Sequence, residues 1–419
     1  SLSGFPDFNP IENNRRDYIL SIIKEKFNLF GFLPLATPSI EKRSNLSGNY
    51  GQEGDKLMFQ ILKSGDFLSK INSNIDTNNY QILSKEISNK SLRYDLTVSL
   101  ARFVSQNKSK INFPFKRYEI GTVFRAERPQ KGRLREFIQC DADIIGSDSL
   151  WLEIDLMKLI VSILSSLGLN NLIIKINNRK ILEGLFECFQ NNMSFIDFCV
   201  IIDKIDKIGF EKVKELLIQG GFMINDVNLI CELFLFEGDF DSIKQNLLKN
   251  LENSKKFKMG LDELSFIFEQ YSIDGVGNNI KFDISLARGL DYYTGSIFEV
   301  IDKNQKNISF AGGGRYDQLT EKFGVKDISG VGVSFGLDRL YLKMEALNLF
   351  PNTLNLNLDF LFINFGLEES KLAQQYITKL RDYGKSAELY PSCVKLSKQM
   401  SYANNRGAQF VIIIGEDEL

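Results

Sequence analysis

The chain has 419 residues and an ordinary globular composition, with 43% hydrophobic and 25% charged residues, so it is long enough for two or three domains. Its formal net charge of −2 excludes a protein that coats nucleic acid through bulk charge, so any nucleic-acid partner must bind at local basic patches. The chain contains no histidine, which excludes Ser-His and Cys-His catalytic pairs and leaves arginine, carboxylates, tyrosine or an oxygen-held metal ion to carry any chemistry.

The cysteines and the N-terminus predict a cytoplasmic protein. Five cysteines are scattered and never spaced as CxxC, which predicts reduced, mostly packed thiols rather than disulfides or a zinc site. No stretch has the length of a membrane-spanning helix, and residues 1–10 lack the basic and apolar regions of a signal peptide. We therefore expect a cytoplasmic location and no membrane partner.

The first predicted element is a helix that begins near Pro10. Asn9 can cap this helix, Pro10 takes its first position, and Glu12 stands three residues after the cap, as in a capping box. Apolar residues at helical spacing up to Phe27 predict a buried stripe, and Gly31 ends the helix.

Short elements are predicted between this helix and the middle of the chain. Residues 48–56, GNYGQEGDK, are expected to form a glycine-rich loop, and residues 59–62 begin a strand. The polar, turn-rich residues 64–90 are typical of a surface insertion. A strand is predicted at residues 92–97 and a helix near residues 98–106.

Residues 124–143, FRAERPQKGRLREFIQCDAD, predict a β-hairpin rich in arginine and acidic residues. Alternate side chains of a strand share a face, which groups Val123, Arg125 and Glu127 on the first strand, and Phe137, Gln139, Asp141 and Asp143 on the second. Pro129 and Gly132 supply the bend. Five hairpin cations could clamp a polyphosphate, because guanidinium forks match phosphate oxygens: Arg125, Arg128, Lys131, Arg133 and Arg135. The alternative is the polar outer face of an ordinary antiparallel sheet.

The remaining sequence predicts an α+β fold followed by a small α/β domain. A helix is predicted at residues 151–167 and a strand at 173–176. A helical insertion follows at about 178–270. Strands then resume, and residues 328–344 are expected to form a buried strand that runs into a helix. After Pro351 the pattern is β-α-β-α-β, which predicts a mostly parallel sheet. We expect a large antiparallel sheet flanked by helices in residues 1–350 and an α/β domain in residues 355–419.

Several short motifs indicate a ligand site. GVGVSFG at 330–336 is not a dinucleotide fingerprint, because its last spacing is one residue too long, and no GxxxxGK[ST] loop occurs. Arg339 falls in the first turn of the following helix, where a cation opposes the helix dipole, so it serves either a ligand or a nearby acid. The three glycines of AGGGRYD at 311–317 indicate close backbone approach, although a hairpin turn would explain two of them. In RGLDYYTG at 288–295, Arg288 could bind a carboxylate and the tyrosines could close a pocket, or the segment is a strand end with aromatic packing.

Together these motifs resemble those of one family. FRAERPQKGRLREF is similar to motif 2 of class II aminoacyl-tRNA synthetases, and GVGVSFGLDRL is similar to their motif 3. LARGLDYYTGSIFE and AGGGRYD resemble the two peptides that mark the histidyl-tRNA synthetase family, and LRYDLT and QCDAD resemble its amino-acid-binding segments. The resemblance runs from Phe5 to about Gly415.

The resemblance implies a histidine–tRNA ligase, which activates histidine with ATP to an adenylate and transfers it to the 3′ end of tRNA(His). By motif, Arg125 contacts the α-phosphate and Arg339 the γ-phosphate of ATP, Glu127 helps to place adenine, and Arg133 faces ATP or the acceptor end of the tRNA. Arg128 and Gln130 lie in the loop that meets the tRNA acceptor end.

The same resemblance implies a histidine pocket. Asp95, Thr97 and Gln139 hold the α-ammonium, and Arg125 and Arg288 complete the pocket, with Arg288 beside the substrate carboxylate and the α-phosphate, where it partly replaces a metal ion. Asp143 and Tyr293 hold the imidazole, with Tyr292 and Tyr316 nearby. Many members of the family carry glutamate at the positions of Asp95 and Asp143. Aspartate is shorter than glutamate but carries the same negative charge.

Further expectations concern the metal, the assembly and the C-terminus. Mg²⁺ bridging ATP oxygens needs few protein ligands, and Glu127 is a candidate for one. A homodimer is implied, built around a first motif near Pro38. Family members usually continue beyond the position of Leu419, so the anticodon-binding domain in residues 355–419 is expected to be incomplete at its C-terminus.

Two other functions fit parts of the resemblance. The regulatory subunit of ATP phosphoribosyltransferase shares the catalytic fold and binds histidine, but it usually lacks the C-terminal domain and has altered motif arginines, whereas Arg125, Arg288 and Arg339 are all present here. A synthetase-like module that senses uncharged tRNA would stand beside kinase motifs, which this sequence lacks. The missing histidines also predict that any titration near neutral pH in the complex with substrate belongs mainly to the substrate's own ring, the α-amine of the chain excepted.

Overall fold

A computed structural model describes residues 1–67, 71, 79–251, 254–272, 279–287, 292–354 and 358–418 of the chain. The chain divides into two compact units, one formed by Ser1–Pro6 with Ile19–Leu347 and the other by Asp7–Tyr18 with Asn348–Leu419. Within the described ranges, no helix combines the length and apolar character needed to cross a bilayer. The predicted α+β class is confirmed.

The elements are numbered in chain order. The strands are β1 (Leu33–Pro34), β2 (Ile40–Lys42), β3 (Gln60–Ile61), β4 (Lys90–Leu92), β5 (Phe115–Phe124), β6 (Glu136–Ile145), β7 (Leu172–Asn178), β8 (Ile280–Phe282), β9 (Ser296–Asp302), β10 (Gln305–Tyr316), β11 (Gly330–Gly336), β12 (Phe360–Phe362), β13 (Ala387–Leu389) and β14 (Phe410–Ile412). The helices are α1 (Pro10–Leu29), α2 (Arg43–Leu46), α3 (Gly51–Lys56), α4 (Tyr80–Ile87), α5 (Thr97–Asn107), α6 (Trp151–Ser166), α7 (Arg179–Glu187), α8 (Phe195–Ile202), α9 (Ile205–Ile208), α10 (Phe210–Gln219), α11 (Ile224–Leu235), α12 (Phe240–Asn250), α13 (Lys255–Ser272), α14 (Leu337–Ala346), α15 (Leu367–Asp382) and α16 (Leu396–Arg406).

The first unit is built on a sheet whose described strands run in the order β1-β5-β6-β11-β10-β9-β7-β8. The inner pairs are antiparallel, whereas the edge strands β1 and β8 pair in parallel with β5 and β7. Strand β6 pairs on both sides, and its Cys140, Ala142 and Ile144 are fully buried, as their apolar alternation predicts. Helices α7 to α13 occupy the predicted helical insertion between β7 and β8.

Helix α1 forms as its sequence predicts. The backbone N–H of Asn9 donates to Glu12 Oε2 at 2.7 Å, and the backbone N–H of Glu12 donates to Asn9 Oδ1 at 3.0 Å, so two unpaired donors of the first turn are satisfied reciprocally. Ile23 and Phe27 are fully buried on its inner face. Gly31 follows the helix with φ of +78°, a conformation that glycine adopts without a steric penalty.

The sheet of the second unit is parallel, in the order β13-β12-β14, with α15 and α16 as its crossover helices. The predicted β-α-β-α-β order is therefore confirmed. Its fully buried Gln399 donates from Nε2 to the carbonyls of Asn364 and Val394, each at 2.9 Å, and accepts from the backbone N–H of Asn364 at 2.8 Å. These bonds fix the loop that follows β12 to helix α16.

Several local predictions differ from the structure, among them the strand predicted at residues 92–97, because β4 ends at Leu92 and α5 begins at Thr97. Residues 48–56 contain the short helix α3 rather than only a loop, and the backbone N–H of Gly48 donates to Asp55 Oδ2 at 2.9 Å. The first hairpin strand ends at Phe124, so Arg125 and Glu127 lie in the loop and not in the strand. The strand ends there because the backbone N–H of Ala126 donates to the carbonyl of Leu57 instead of to the second hairpin strand. The hairpin-turn alternative for the three glycines is wrong, because residues 312–314 lie within β10; the predicted close approach holds for Gly313 and Gly314, where a Cβ would stand 2.0 Å from the Gly332 carbonyl oxygen and 2.6 Å from that of Ser296.

Candidate active site

A cavity of about 440 Å³ lies in the first unit, bordered by β6, β10, β11 and the start of α14. Most of the site residues predicted from the motifs line it: Asp95, Thr97, Arg125, Glu127, Arg133, Gln139, Asp143, Tyr292, Tyr293, Tyr316 and Arg339. Arg128 and Gln130 instead line a second pocket that shares Glu127 and Arg133 with the first. Arg288 lies outside the described residues.

The strand register assembles one side of the cavity. In β6, Gln139, Asp141 and Asp143 face the cavity, and in β11 Ser334 lies opposite Asp141 while Gly332 lies opposite Asp143. A Cβ atom on Gly332 would stand 1.9 Å from Asp143 Oδ1, so only glycine leaves room for that carboxylate. The register therefore creates a slot with an acidic wall.

Asp143 is held by two donors. Arg117 Nη2 lies 2.8 Å from Asp143 Oδ2, and the Tyr316 hydroxyl donates to Oδ1 at 2.5 Å. Burial raises the pKa of Asp143, and the Arg117 cation and the Tyr316 hydrogen bond oppose that rise only in part. The carboxylate is therefore fixed in orientation.

Asp141 is a second buried carboxyl group in the same slot. Burial raises its pKa to about 8, Asp143 adds to the rise, and Arg117 and the Ser334 hydroxyl oppose it. A carboxyl group with this raised pKa counts against the prediction that titration near neutrality in the complex belongs mainly to the substrate's ring, because that prediction counted histidines and did not anticipate two carboxyl groups buried side by side. The alternation of β6 had placed Asp141 on this face, but no motif assigned it a role.

Arg117 and its neighbours were missed by the sequence analysis. Arg117 is fully buried and lies directly opposite Asp143 in the β5–β6 register, so extending the hairpin pairing backwards could have found it. Glu119, two residues on, is neutralised by Arg93 Nη1 at 2.9 Å and accepts from Thr37 N–H at 2.9 Å. Arg117 Nη1 lies 3.8 Å from Glu119, which is already neutralised. The charge of Arg117 therefore acts mainly on Asp141 and Asp143.

Asp95 stands on another side of the cavity, just before α5. Its Oδ1 accepts from the Tyr50 hydroxyl at 3.0 Å and from the backbone N–H of Val98 at 3.1 Å. The Tyr292 hydroxyl lies 3.5 Å from Oδ2 and also hydrogen-bonds Thr97. Burial raises the pKa of Asp95, against these hydrogen bonds and the Arg125 charge.

The motif arginines Arg125 and Arg339 are fixed in the cavity by carbonyls and, for Arg125, by aromatic rings. The Arg125 guanidinium lies 4.4 Å from the centre of the Tyr94 ring and 5.2 Å from that of Phe137, and its Nε donates to the Tyr94 carbonyl at 3.2 Å. Arg339 donates from Nη1 to the Ser309 carbonyl at 2.6 Å. Both cations are therefore presented to the cavity without free rotation.

The arginine of the AGGGRYD motif is structural. Arg315 is buried and donates from Nε to Glu153 Oε1 and from Nη2 to Glu153 Oε2, both at 2.6 Å. It also donates to the Ser329 hydroxyl at 2.6 Å. Asp203 and Lys207 of the helical insertion line the cavity as well, and nothing in the sequence had pointed to them.

The chain is similar to known proteins over most of its length. The histidyl-tRNA synthetase family profile matches residues 4–340. The Christiangramia forsetii protein named "Histidine--tRNA ligase" is 48% identical over 421 residues, covering 99% of this chain and 92% of the relative.

Solved structures agree in fold. The histidyl-tRNA synthetase of Nostoc sp. PCC 7120 is 28% identical and covers 100% of this chain and 92% of its own, with a TM-score of 0.79. The structure from Bacillus halodurans C titled "ATP phosphoribosyltransferase regulatory subunit/histidyl-tRNA synthetase" is 20% identical, covers 99% of this chain and 97% of its own, and has a TM-score of 0.77, which indicates the same fold. From the profile match and the near full-length identity, this chain belongs to the histidyl-tRNA synthetase family.

Proposed function

We propose that this chain is a histidine–tRNA ligase that converts L-histidine and ATP to histidyl-adenylate and pyrophosphate, and then transfers histidine to the 3′ end of tRNA(His). The observation that carries the proposal is one cavity that holds both an acidic slot and the motif arginines Arg125 and Arg339. These are the parts needed to bind a small cationic amino acid beside a nucleotide. The family relationship gives the reaction.

In the activation step, charge builds on the α-phosphate as the histidine carboxylate attacks it. Arg125 is assigned to the α-phosphate and Arg339 to the γ-phosphate, and fixed guanidinium groups stabilise such a transition state more than the ground state. Their bonds to Tyr94 and Ser309 support this assignment, because cations already held in place need little reorganisation. Arg288 keeps the role at the substrate carboxylate that the family resemblance implies.

Histidine recognition is assigned to the acidic slot. Asp143 and Tyr293 hold the imidazole near Tyr292 and Tyr316, and Asp95, Thr97 and Gln139 hold the α-ammonium. Burial of Asp143 supports selectivity, because its Oδ2 accepts no hydrogen bond from the described residues and an analogue without the ring N–H groups would leave that buried oxygen unsatisfied.

Magnesium is assigned to the ATP phosphates, with Glu127 as one protein ligand and Arg133 beside ATP or the tRNA end. Glu127 Oε2 is buried and accepts no hydrogen bond from the described residues, although Arg133 Nε lies 2.9 Å away. A carboxylate oxygen of this kind suits a hard cation. No group of three potential metal ligands occurs among the described residues. When bound, the ion would neutralise phosphate charge.

The tRNA is assigned to two places. Arg128 and Gln130 line the pocket beside the cavity, where they would meet the acceptor end. Residues 1–350 would form the catalytic core and residues 355–419 the anticodon-binding domain. We further propose a homodimer with its first motif near Pro38, and a cytoplasmic location, which the five free cysteines support.

Histidine-dependent exchange of pyrophosphate into ATP tests the activity. We expect exchange by the wild-type chain, a loss of roughly 10²–10³-fold in Arg125→Ala, and near wild-type exchange in the matched variant Arg128→Ala. Arg128→Ala should instead slow aminoacylation of tRNA(His). Histidine binding by folded wild-type protein without exchange would refute the proposal and favour a regulatory subunit of ATP phosphoribosyltransferase.

A further inference from the structure

We propose that Asp141 is a further histidine-binding residue, which accepts the third N–H of the substrate α-ammonium and gives up its proton to the solvent as the substrate binds. This inference rests on the proposed function, because it names the contribution of one more residue to the histidine pocket. Neither the motifs nor the family relationship assigned Asp141 a role.

The position of Asp141 is the first argument. It lies on β6 between Gln139 and Asp143, and alternate side chains of a strand are about 6.8 Å apart. All three residues line the same cavity, and Asp141 is only 2% exposed. Its carboxyl group therefore lies between the proposed ammonium ligand and the proposed ring ligand.

Unpaired acceptors are the second argument. Gln139 Nε2 donates to Ser334 Oγ at 2.9 Å, and the Ser334 hydroxyl hydrogen-bonds the Asp141 carboxylate. This chain of bonds leaves Gln139 Oε1 and Asp141 Oδ1 buried, without a hydrogen-bond partner in the described part of the protein. Buried acceptors without donors cost free energy, so a ligand that donates there gains affinity.

A count of donors and acceptors is the third argument. An ammonium group carries three N–H donors. Asp95 Oδ2, Gln139 Oε1 and Asp141 Oδ1 provide three acceptors, since Asp95 Oδ1 is already engaged by Tyr50 and Val98, whereas Oδ2 has only the long contact of 3.5 Å with the Tyr292 hydroxyl. Asp143 Oδ1 accepts from Tyr316, and Asp143 Oδ2, which lies 2.8 Å from Arg117 Nη2 but accepts no hydrogen bond from the described residues, is assigned to the ring.

The charge balance of the slot explains the proton. The titratable, charged and hydrogen-bonding groups around Asp141 on the surrounding elements are Asp143, Arg117, Glu119, Ser334, Asp95 and Tyr293. Arg93 neutralises Glu119, so one cation, Arg117, serves two buried carboxyl groups. The empty slot therefore retains a proton, consistent with the pKa of about 8 at Asp141. A bound ammonium favours the ionised carboxylate and expels that proton.

Calorimetry can count the proton. Histidine would be titrated into wild-type protein at pH 7 in two buffers of different ionisation enthalpy, and a group with a pKa of about 8 is then about nine-tenths protonated. We expect histidine to release about 0.9 proton per site from Asp141. The deamino analogue 3-(imidazol-4-yl)propanoate keeps the ring but lacks the ammonium group, so we expect it to release no proton from Asp141. This comparison needs no variant, so a misfolded mutant cannot leave the proposal untested.

The variant Asp141→Asn separates binding from structure. We expect it to abolish the proton release and to raise the KM for histidine in pyrophosphate exchange roughly tenfold, without changing the KM for ATP or the inhibition by the deamino analogue. The matched control is Asp155→Asn, whose aspartate pairs with Lys116 outside the cavity and which should behave as wild type.

Equal proton release with histidine and with the deamino analogue would overturn the role of Asp141, as would an unchanged KM in Asp141→Asn. Absence of histidine-dependent exchange in the wild-type chain would instead overturn the proposed function. The two failures are therefore distinguishable in the same set of measurements.

Discussion

Arg117 is the residue on which the acidic slot depends most. It is fully buried, and it is the cation that faces Asp141 and Asp143. A buried carboxylate that loses its cation is left uncompensated, which typically costs about 3–5 kcal/mol of the free energy of unfolding. We therefore expect Arg117→Met to lose stability in this range at pH 8, measured by urea denaturation.

The loss should depend on pH in a definite direction. Burial raises the pKa of both carboxyl groups in the folded state, so their ionisation opposes folding. The free energy of unfolding therefore falls as the pH rises from their pKa in the unfolded chain toward their higher pKa in the folded protein, which is about 8 for Asp141. Without Arg117 these pKa values rise further, so the loss of stability in Arg117→Met should be smaller at pH 5 than at pH 8.

The neighbouring change Lys116→Met is the control. Lys116 pairs with Asp155 at a partly exposed site, so this variant should lose about 1 kcal/mol or less of the free energy of unfolding. Equal losses in the two variants would show that the charge of Arg117 is not needed.

At this scale the sequence predicted the cavity-lining residues better than their partners. Motif positions and strand alternation led to Gln139, Asp143 and Arg339, because both patterns are local in the sequence. Tyr50 and Arg117 were missed because their roles come from contacts across the fold, with Asp95 and Asp143. The roles of the motif residues remain predictions, including that of Arg288.

At the scale of elements, strand β11 makes room for the carboxylate of β6. Gly332 lies opposite Asp143, where any Cβ would collide with Oδ1, whereas a Cβ on Gly336 of the same strand meets no heavy atom within 4 Å. We expect Gly332→Ala to displace Asp143, to raise the KM for histidine in pyrophosphate exchange by at least tenfold, and to cost about 1–3 kcal/mol of the free energy of unfolding. Gly336→Ala should cost less than about 0.5 kcal/mol and leave the KM for histidine unchanged. Similar effects of both substitutions would contradict the steric argument.

Periodicity predicted elements well where the pattern was long. Helix α1, the helical insertion and the β-α-β-α-β order were predicted because apolar spacing and caps repeat over many residues. The strand limits of the hairpin were wrong because Ala126 bonds to Leu57, a residue remote in sequence. The close approach at the three glycines was predicted, but its partner was not, because a Cβ on Gly313 would lie 2.0 Å from the carbonyl oxygen of Gly332, which is on a neighbouring strand.

At the scale of the whole molecule, a net charge of −2 requires that tRNA be attracted by local cations. In the second unit, Lys395 and Lys398 are exposed at the start of α16, beyond the carboxyl end of β13. Ligands of open α/β sheets bind beyond the carboxyl ends of the strands, and helix N-termini attract phosphate. These two lysines are therefore our candidates for contacts to the tRNA backbone.

Charge reversal tests this assignment. Lysines that contact phosphate release counterions, so each should contribute about one unit to the slope of log affinity against log salt concentration. We expect Lys395→Glu with Lys398→Glu to lower that slope by about 2 in filter-binding assays with tRNA(His) and to leave pyrophosphate exchange unchanged. The control pair Lys379→Glu with Lys385→Glu makes the same charge change near the amino end of β13, at exposed positions. Both pairs of substitutions alter the net charge equally. An equal fall in slope would therefore show that bulk charge causes the effect, and it would contradict tRNA contact at the carboxyl edge of this sheet.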